Sequence, residues 1–278
     1  MSNMISAELK FSVLMAVYYR DDPLILRYSL DSIFLNTLQP TELILVQDGP
    51  VGAELSAVIE ECYKRDNVTL IKTPRNNGLA QALNTGLEHI KTEFVVRADA
   101  DDLSLPNRFA FQINQLYADF DLVGGSILEV DKLNQPIAIR QPPLTQDEIR
   151  RQLSKRNPFN HMTVAFRADF VRDCGGYPDV YLKEDYALWA TMISKGARVA
   201  NTSDILVHAT AGREMYKRRG GLRYVKSEVA LQRHLLKCGV TTLPKALLYG
   251  FLRSVVFLVP SRLRGWVYET FLRKGVQS

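Results

Sequence analysis

Asp99, Asp101 and Asp102 follow directly on the apolar run Phe94 to Val96. Carboxylates this close repel one another where water is scarce. A hard divalent cation such as Mg²⁺ or Mn²⁺ relieves the repulsion and can bridge to phosphate oxygens. The same acids would also serve as a solvated loop ahead of a helix beginning near Pro106, since Asp is common before helix starts. A second acidic pair, Glu184-Asp185, opens a stretch in which Asp185, Leu188 and Trp189 share one helical face. Acids in a first helical turn stabilise the helix by themselves, so the bare pattern favours capping over catalysis there. Gly78, in Asn76-Asn77-Gly78, would let a backbone approach an anionic ligand at a helix N-terminus. Asn77 reads equally well as a plain cap. Asp48-Gly49-Pro50 is turn chemistry, and His161 and His208 read first as satisfied structural histidines.

The elements that must hold these residues follow from periodicity. Apolar runs at Phe11 to Val17, Leu43 to Val46, Val68 to Ile71 and Phe94 to Val96 read as buried strands. Pro23 to Leu35, Ala53 to Tyr63 and Leu79 to Ile90 carry apolar residues at helical spacing. Their alternation predicts a largely parallel sheet covered on both faces, with ligand groups at the strands' C-terminal ends. Beyond Pro106 we expect a helix over Asn107 to Tyr117, a strand near Leu122 and Val123, and a polar excursion with Pro136, Pro142 and Pro143. A helix over Asp147 to Leu153, a strand at Thr163 to Phe166 and a helix from Glu184 follow. The chain divides into a first half at 1–102, a second half of the same domain at 103–208 and a basic helical region at 209–278.

That division is electrostatic as well. The net charge is +5, yet from Ala209 onward 14 Lys and Arg face 3 acids, a local charge of +11 that leaves −6 on the rest. Ala246 to Val259 is mostly apolar but interrupted by Arg253, and 14 helical residues span about 21 Å against a hydrocarbon core of about 30 Å. It should not cross a bilayer. With Arg262, Arg264, Arg273 and Lys274 beside Trp266, Tyr268 and Phe271, the region suits an anionic membrane surface; a helical pair packed on the domain is the competing arrangement. Cys62, Cys174 and Cys238 lack paired spacing and the first 20 residues lack a secretory pattern. We therefore expect a cytoplasmic protein, peripheral on the inner face of the plasma membrane.

Taken in order, FSVLMAVYYR (11–20), LILVQDGP (43–50), NNGLAQALNTG (76–86), RADADD (97–102) and GGYPDVYLKEDYALW (175–189) resemble the family 2 glycosyltransferases of the GT-A fold, in particular small bacterial O-antigen and exopolysaccharide enzymes. The resemblance implies an α/β fold with a mixed, mostly parallel central sheet flanked by helices. It implies that Tyr18 lies near the nucleotide base of a UDP-sugar, that Asp48 accepts a hydrogen bond from the base region, and that the backbone at Gly78 approaches the donor. Gln47 stands where the usual acidic pair has its first carboxylate. By the same resemblance Asp99 serves ribose and metal, Asp101 is the principal ligand of Mn²⁺ or Mg²⁺, and Asp102 supports them. His208 is a candidate metal or phosphate ligand. Asp185 becomes the general base for the acceptor hydroxyl, with Glu184 supporting it, which reverses the order given by the bare pattern. From its cations and glycines alone, the loop Met215 to Gly221, with Arg218, suits closure over the diphosphate, with a solvated charge run or a lipid contact as the alternatives.

The implied reaction is inverting transfer of one sugar to a glycan or a lipid-diphosphate-linked acceptor, β-1,3-galactosyl transfer being one form of it. A processive synthase is disfavoured, because no membrane-spanning segment and no Gln-x-x-Arg-Trp signature is visible. A nucleotidyltransferase would want a Gly-rich first loop with an attendant cation. Nucleic acid is not expected as a partner, for the tail lacks a recognisable binding module. The alternative from another class is a non-catalytic carbohydrate- or nucleotide-sugar-binding protein on the same fold.

Overall fold

The computed structural model describes residues 9–131, 135–210 and 221–258. Among them, strands β1 (Phe11–Tyr18), β2 (Glu42–Asp48), β3 (Val68–Lys72) and β4 (Phe94–Asp99) alternate with helices α1 (Pro23–Phe34), α2 (Ala53–Tyr63) and α3 (Leu79–His89). All four strands are parallel in the order β3-β2-β1-β4. β1, β2 and β4 are buried almost throughout on both faces, and that is why they read as nearly unbroken apolar runs, whereas β3, at the sheet edge, exposes Thr69 and Lys72. Leu14, Ile44 and Val46 face α3 on one side, while Val13, Met15 and Leu45 face α1 and α2 on the other. Gly86 lets α3 lie tight on this surface, because a Cβ there would strike Leu14.

The second half continues the sheet. Short β5 (Asp102–Ser104), α4 (Arg108–Tyr117), β6 (Leu122–Val130), β7 (Pro136–Arg140), α5 (Gln146–Leu153), β8 (Ala165–Arg167), α6 (Ala168–Asp173), α7 (Glu184–Ser194) and β9 (Val199–Thr210) follow. The path β4-β8-β6-β9-β5 brings in antiparallel pairing at β8, parallel pairing of β6 with β9, and antiparallel pairing of β9 with β5. The fold is the expected α/β architecture with a mixed, mostly parallel sheet.

Several expectations for this half need correcting. The polar excursion at Pro136 contains β7, an edge strand on β6, where Pro is tolerated. The strand expected from Thr163 begins at Ala165, after a 3₁₀ turn at His161–Thr163. β5, α6 and the twelve-residue β9 were not anticipated from the sequence.

Beyond β9, α8 (Leu222–Lys237) and α9 (Leu243–Leu258) pack onto the domain. Thr191 Oγ1 of α7 lies 2.8 Å from His234 Nε2 of α8, and Tyr224 and Phe257 meet edge to face between α8 and α9 at 4.5 Å. The packed arrangement is therefore the one observed for the described residues. The outer face of α9 nonetheless exposes Leu247, Leu248, Phe251 and Leu252. Among the described residues no helix is long and apolar enough to cross a membrane. Arg262, Arg264, Trp266, Tyr268, Phe271, Arg273 and Lys274 lie outside the described residues.

Candidate active site

Strand order places a switch at β1, whose neighbours β2 and β4 lie on opposite sides, and in such sheets ligands bind beyond the carboxyl ends at that point. Tyr18 ends β1 directly beside Asp48 of β2, and Ala16 lies beside Asp99 of β4. The sheet thus brings Tyr18, Asp48 and the acidic cluster to one edge. Tyr18 is half-buried, and its ring meets that of Tyr19 edge to face at 5.5 Å.

Asp48 is buried, and its carboxylate accepts the backbone N–H groups of Asn77 at 2.8 Å and Gly78 at 2.9 Å. It thereby shapes the entry into α3. Gly78, at φ +90°, makes the turn that L side chains rarely adopt. The Gly78 amide, offered to a ligand in the sequence reading, here meets the carboxylate of Asp48. At Gly49 a Cβ would come within 2.5 Å of Asn76 N, so this loop also needs a glycine beneath it.

Asp99 ends β4 and Asp102 begins β5, with Asp101 exposed in the turn between. One carboxylate oxygen from each lies within 4.8 Å of the others. Ser29 Oγ of α1 lies 2.7 Å from the Asp99 carbonyl and 2.8 Å from that of Asp102. From β9, Thr210 donates its hydroxyl to the Asp101 carbonyl at 2.8 Å and its amide to Asp102 Oδ1 at 3.1 Å. Burial, then the charges of Asp101 and Asp99, hold the Asp102 carboxyl well above its ordinary range, against the Thr210 amide and Arg97. Asp102 Oδ2 is buried without a hydrogen-bond partner. Three hard oxygens, one of them unsatisfied, fit a small divalent cation. Arg97, almost fully buried, pairs with Asp99.

The second acidic pair opens α7. Asp185 Oδ2 accepts Asn157 Nδ2 at 2.6 Å, and Oδ1 accepts the Tyr186 amide at 2.7 Å. Glu184 is buried, and its carboxyl is pushed up to about 7 by burial and by Asp185. Leu182, just upstream, sits at φ +55°, a backbone conformation that costs a non-glycine residue about 1–3 kcal/mol and collects at functional sites. The two acidic groups share surroundings: the buried Tyr177 hydroxyl is raised by burial and feels the charges of Arg97, Asp185, Glu184 and Asp99.

The histidines part company with the acids. His161 Nε2 lies 3.2 Å from the Tyr177 hydroxyl, and burial together with Arg97 keeps its ring neutral. His208 opposes Leu103 across the β5–β9 pair while Asp102 opposes Ala209. The pleat therefore turns His208 to the other face from Asp102, and the structure does not bring it into the acidic group. Arg218 and its loop lie outside the described residues. Arg97 and Asn157 were missed as site residues; the first stood in a quoted motif as a bare cation, and the second gave no local signal.

A sequence profile of glycosyl transferase family 2 matches residues 12–175. The chain is 35% identical over 268 residues to an Escherichia coli UDP-Gal:alpha-D-GlcNAc-diphosphoundecaprenol beta-1,3-galactosyltransferase, covering 95% of this chain and 97% of that one. It is 36% identical over 267 residues to the amylovoran biosynthesis glycosyltransferase AmsE of Erwinia amylovora, covering 95% and 100%. Its fold is similar to that of S. aureus TarS 1-349 in complex with UDP, at a TM-score of 0.66 and 18% identity, over 95% of this chain and 76% of that one.

Proposed function

The chain belongs to glycosyl transferase family 2, and on that premise we propose that it moves a single sugar from a UDP-sugar to a glycan or lipid-diphosphate-linked acceptor. The donor sugar is galactose, an N-acetylhexosamine or glucose, and the product is a β-linkage in surface polysaccharide. The observation that carries this reading is an acidic triad fit for a cation together with a separate carboxylate held by Asn157 and the Tyr186 amide, both groups acting on the buried Tyr177 hydroxyl. The E. coli relative supports UDP-galactose, a lipid-diphosphate acceptor and β-1,3 transfer, and the S. aureus complex supports UDP.

Asp99, Asp101 and Asp102 would hold Mn²⁺ or Mg²⁺, which when bound supplies Lewis-acid stabilisation of a diphosphate leaving group. The chain's own residues do the rest. Tyr18 offers a flat face to the base, and the Asp48-supported turn at Gly78 lines the nucleotide side. Asp185 takes the proton of the acceptor hydroxyl as its oxygen attacks the anomeric carbon from the side opposite the leaving group, which inverts that centre. The Asn157 hydrogen bond fixes the base, while burial and the neighbouring Asp185 raise the Glu184 carboxyl to about 7. The apolar outer face of α9, in a segment of charge +11, supports attachment to an anionic membrane surface on the cytoplasmic side.

The test is nucleotide release from UDP-sugars with Mn²⁺ and a lipid-diphosphate-linked GlcNAc analogue, with donor affinity measured by calorimetry. Asp185→Asn should abolish transfer and leave donor affinity nearly intact, whereas Asp101→Ala should weaken metal-dependent donor binding itself. No release from any common UDP- or GDP-sugar would overturn the enzyme reading. Equal loss of donor affinity in both variants would overturn the division of roles.

A further inference from the structure

We propose that Arg253 of α9 and Glu228 of α8 are positioning residues that clamp the base-bearing turn from both sides; this rests on the reading of Asp185 as the base. Lys183 immediately precedes α7, and its buried ammonium pairs with Glu228 Oε2 at 2.9 Å over the rings of Tyr224 and Phe257. Glu228 is fully buried, and its other oxygen accepts Arg253 Nη1 at 3.0 Å and Gln232 Nε2 at 2.7 Å. The second arm of Arg253, Nη2, donates to the Lys155 carbonyl. Two residues further on, Asn157 holds Asp185. The contacts close into a ring running from Asp185 through Lys183, Glu228, Arg253 and Lys155 to Asn157 and back.

Two observations say that this ring fixes geometry. The first is its composition, since buried ion pairs add little net stability compared with apolar residues of the same volume, while losing one member leaves its partner uncompensated. The second is Leu182, whose left-handed backbone lies between Tyr181 and Lys183, the two residues that α8 holds. Such a conformation persists only where the surroundings over-determine it, and Lys183 is the residue through which the C-terminal helices do so. Tyr181, on the other side of Leu182, is also tied down, its carbonyl accepting Ser227 Oγ of α8. The C-terminal helices thus form the mount for the acceptor side of the site, although no residue of theirs is assigned to touch a substrate.

The experiment compares full-length Arg253→Met, Arg253→Lys and Glu228→Gln for transfer kinetics, donor affinity by calorimetry and thermal unfolding. Misplacing a reacting group by about 1 Å costs about 100-fold, so Arg253→Met and Glu228→Gln should lower kcat about 10- to 100-fold. Donor affinity should change less than about twofold. Arg253→Lys, which keeps the contact to Glu228, should recover part of the loss. Full kcat in folded Arg253→Met or Glu228→Gln overturns the proposal, as does a matching loss of donor affinity. If Arg253→Met does not fold, Glu228→Gln, which keeps the volume, decides. Asp185→Asn runs alongside: if it still transfers sugar, the base assignment falls and the clamp with it, whereas if it is dead and the clamp variants are fully active, only the clamp fails.

Discussion

Replacing Glu184 with glutamine should make the protein more stable at alkaline pH, by an amount that the burial of this side chain sets. Glu184 is 6% exposed beside Asp185, and these two causes, burial first, move its carboxyl from 4.5 up to about 7, against its own amide, that of Lys183 and Arg97. The folded state therefore binds this proton more tightly than the unfolded chain. Its stability is greatest below pH 4.5, declines as pH rises through the interval up to about 7, and is level above it. At about 1.4 kcal/mol for each tenfold change in acidity, the ionised form costs the fold about 3 kcal/mol at pH 8. Glutamine keeps the shape and removes the titration. Urea unfolding of both proteins at several values between about pH 4 and pH 8 gives the difference in stability, in which titrations common to both largely cancel. That difference should swing by about 3 kcal/mol in favour of the variant as pH rises. A constant offset reflects altered hydrogen bonding and does not bear on the argument. A flat difference, or one that swings the other way, would refute it, because Glu184 would then be ionised in the fold at no cost.

Asp48→Asn keeps one acceptor for the two amides of Asn77 and Gly78 and turns an NH₂ toward the other. Denaturation should reveal a loss of about 1–3 kcal/mol, with weaker nucleotide binding, and unchanged stability would show that the carboxylate does not hold this turn. On α9, Leu247 and Phe251 are 65% and 68% exposed. Leu247→Glu with Phe251→Glu should leave stability within about 1 kcal/mol and reduce sedimentation with vesicles rich in anionic lipid; undiminished binding would sink the proposed membrane face.

What could be read from the sequence divides along a physical line. β1 to β4 and α1 to α3 were legible to within three residues at each end, because doubly covered parallel strands such as β1 and β2 are apolar nearly throughout and their covering helices amphipathic, while β4 runs on past its apolar stretch through Arg97 to Asp99. β9 was not, since Asn201 to Asp204 interrupts its apolar pattern, and the strand is defined by pairing with β6 through register shifts at Gly125 to Ile127. Three-residue β5 is too short to show any period. Within the site, the acids announced themselves by type and spacing, but their surroundings did not. Asn157 lies 28 positions from Asp185, and the side chain of Lys183 reads as an ordinary solvated charge until α8 brings Glu228 against it. Partners set by tertiary packing leave no local trace.

Arg97 explains how this edge of the sheet tolerates so many acids. Its side chain is 2% exposed; burial pulls against its charge, but Asp99 beside it more than compensates and holds its pKa above the ordinary value. That one guanidinium eases the ionisation of Asp102 toward the cation side and of Glu184 toward the base side, while discouraging protonation of His161. A lysine at this depth would tend to shed its proton and abandon the task, whereas a guanidinium keeps its charge and presents a fixed fork. Arg108 steadies it from below, donating Nη2 to the Arg97 carbonyl at 2.6 Å, and is itself lowered to about 9 by burial and by Arg97. Arg97 is thus a charge felt by both halves of the site, although burial is the larger cause at Asp102, Glu184 and His161. Asp101 is the cluster's exposed acid, at the solvent end of the turn. A group there has room to exchange water for a ligand, whereas Asp102 can only receive what the fold already admits.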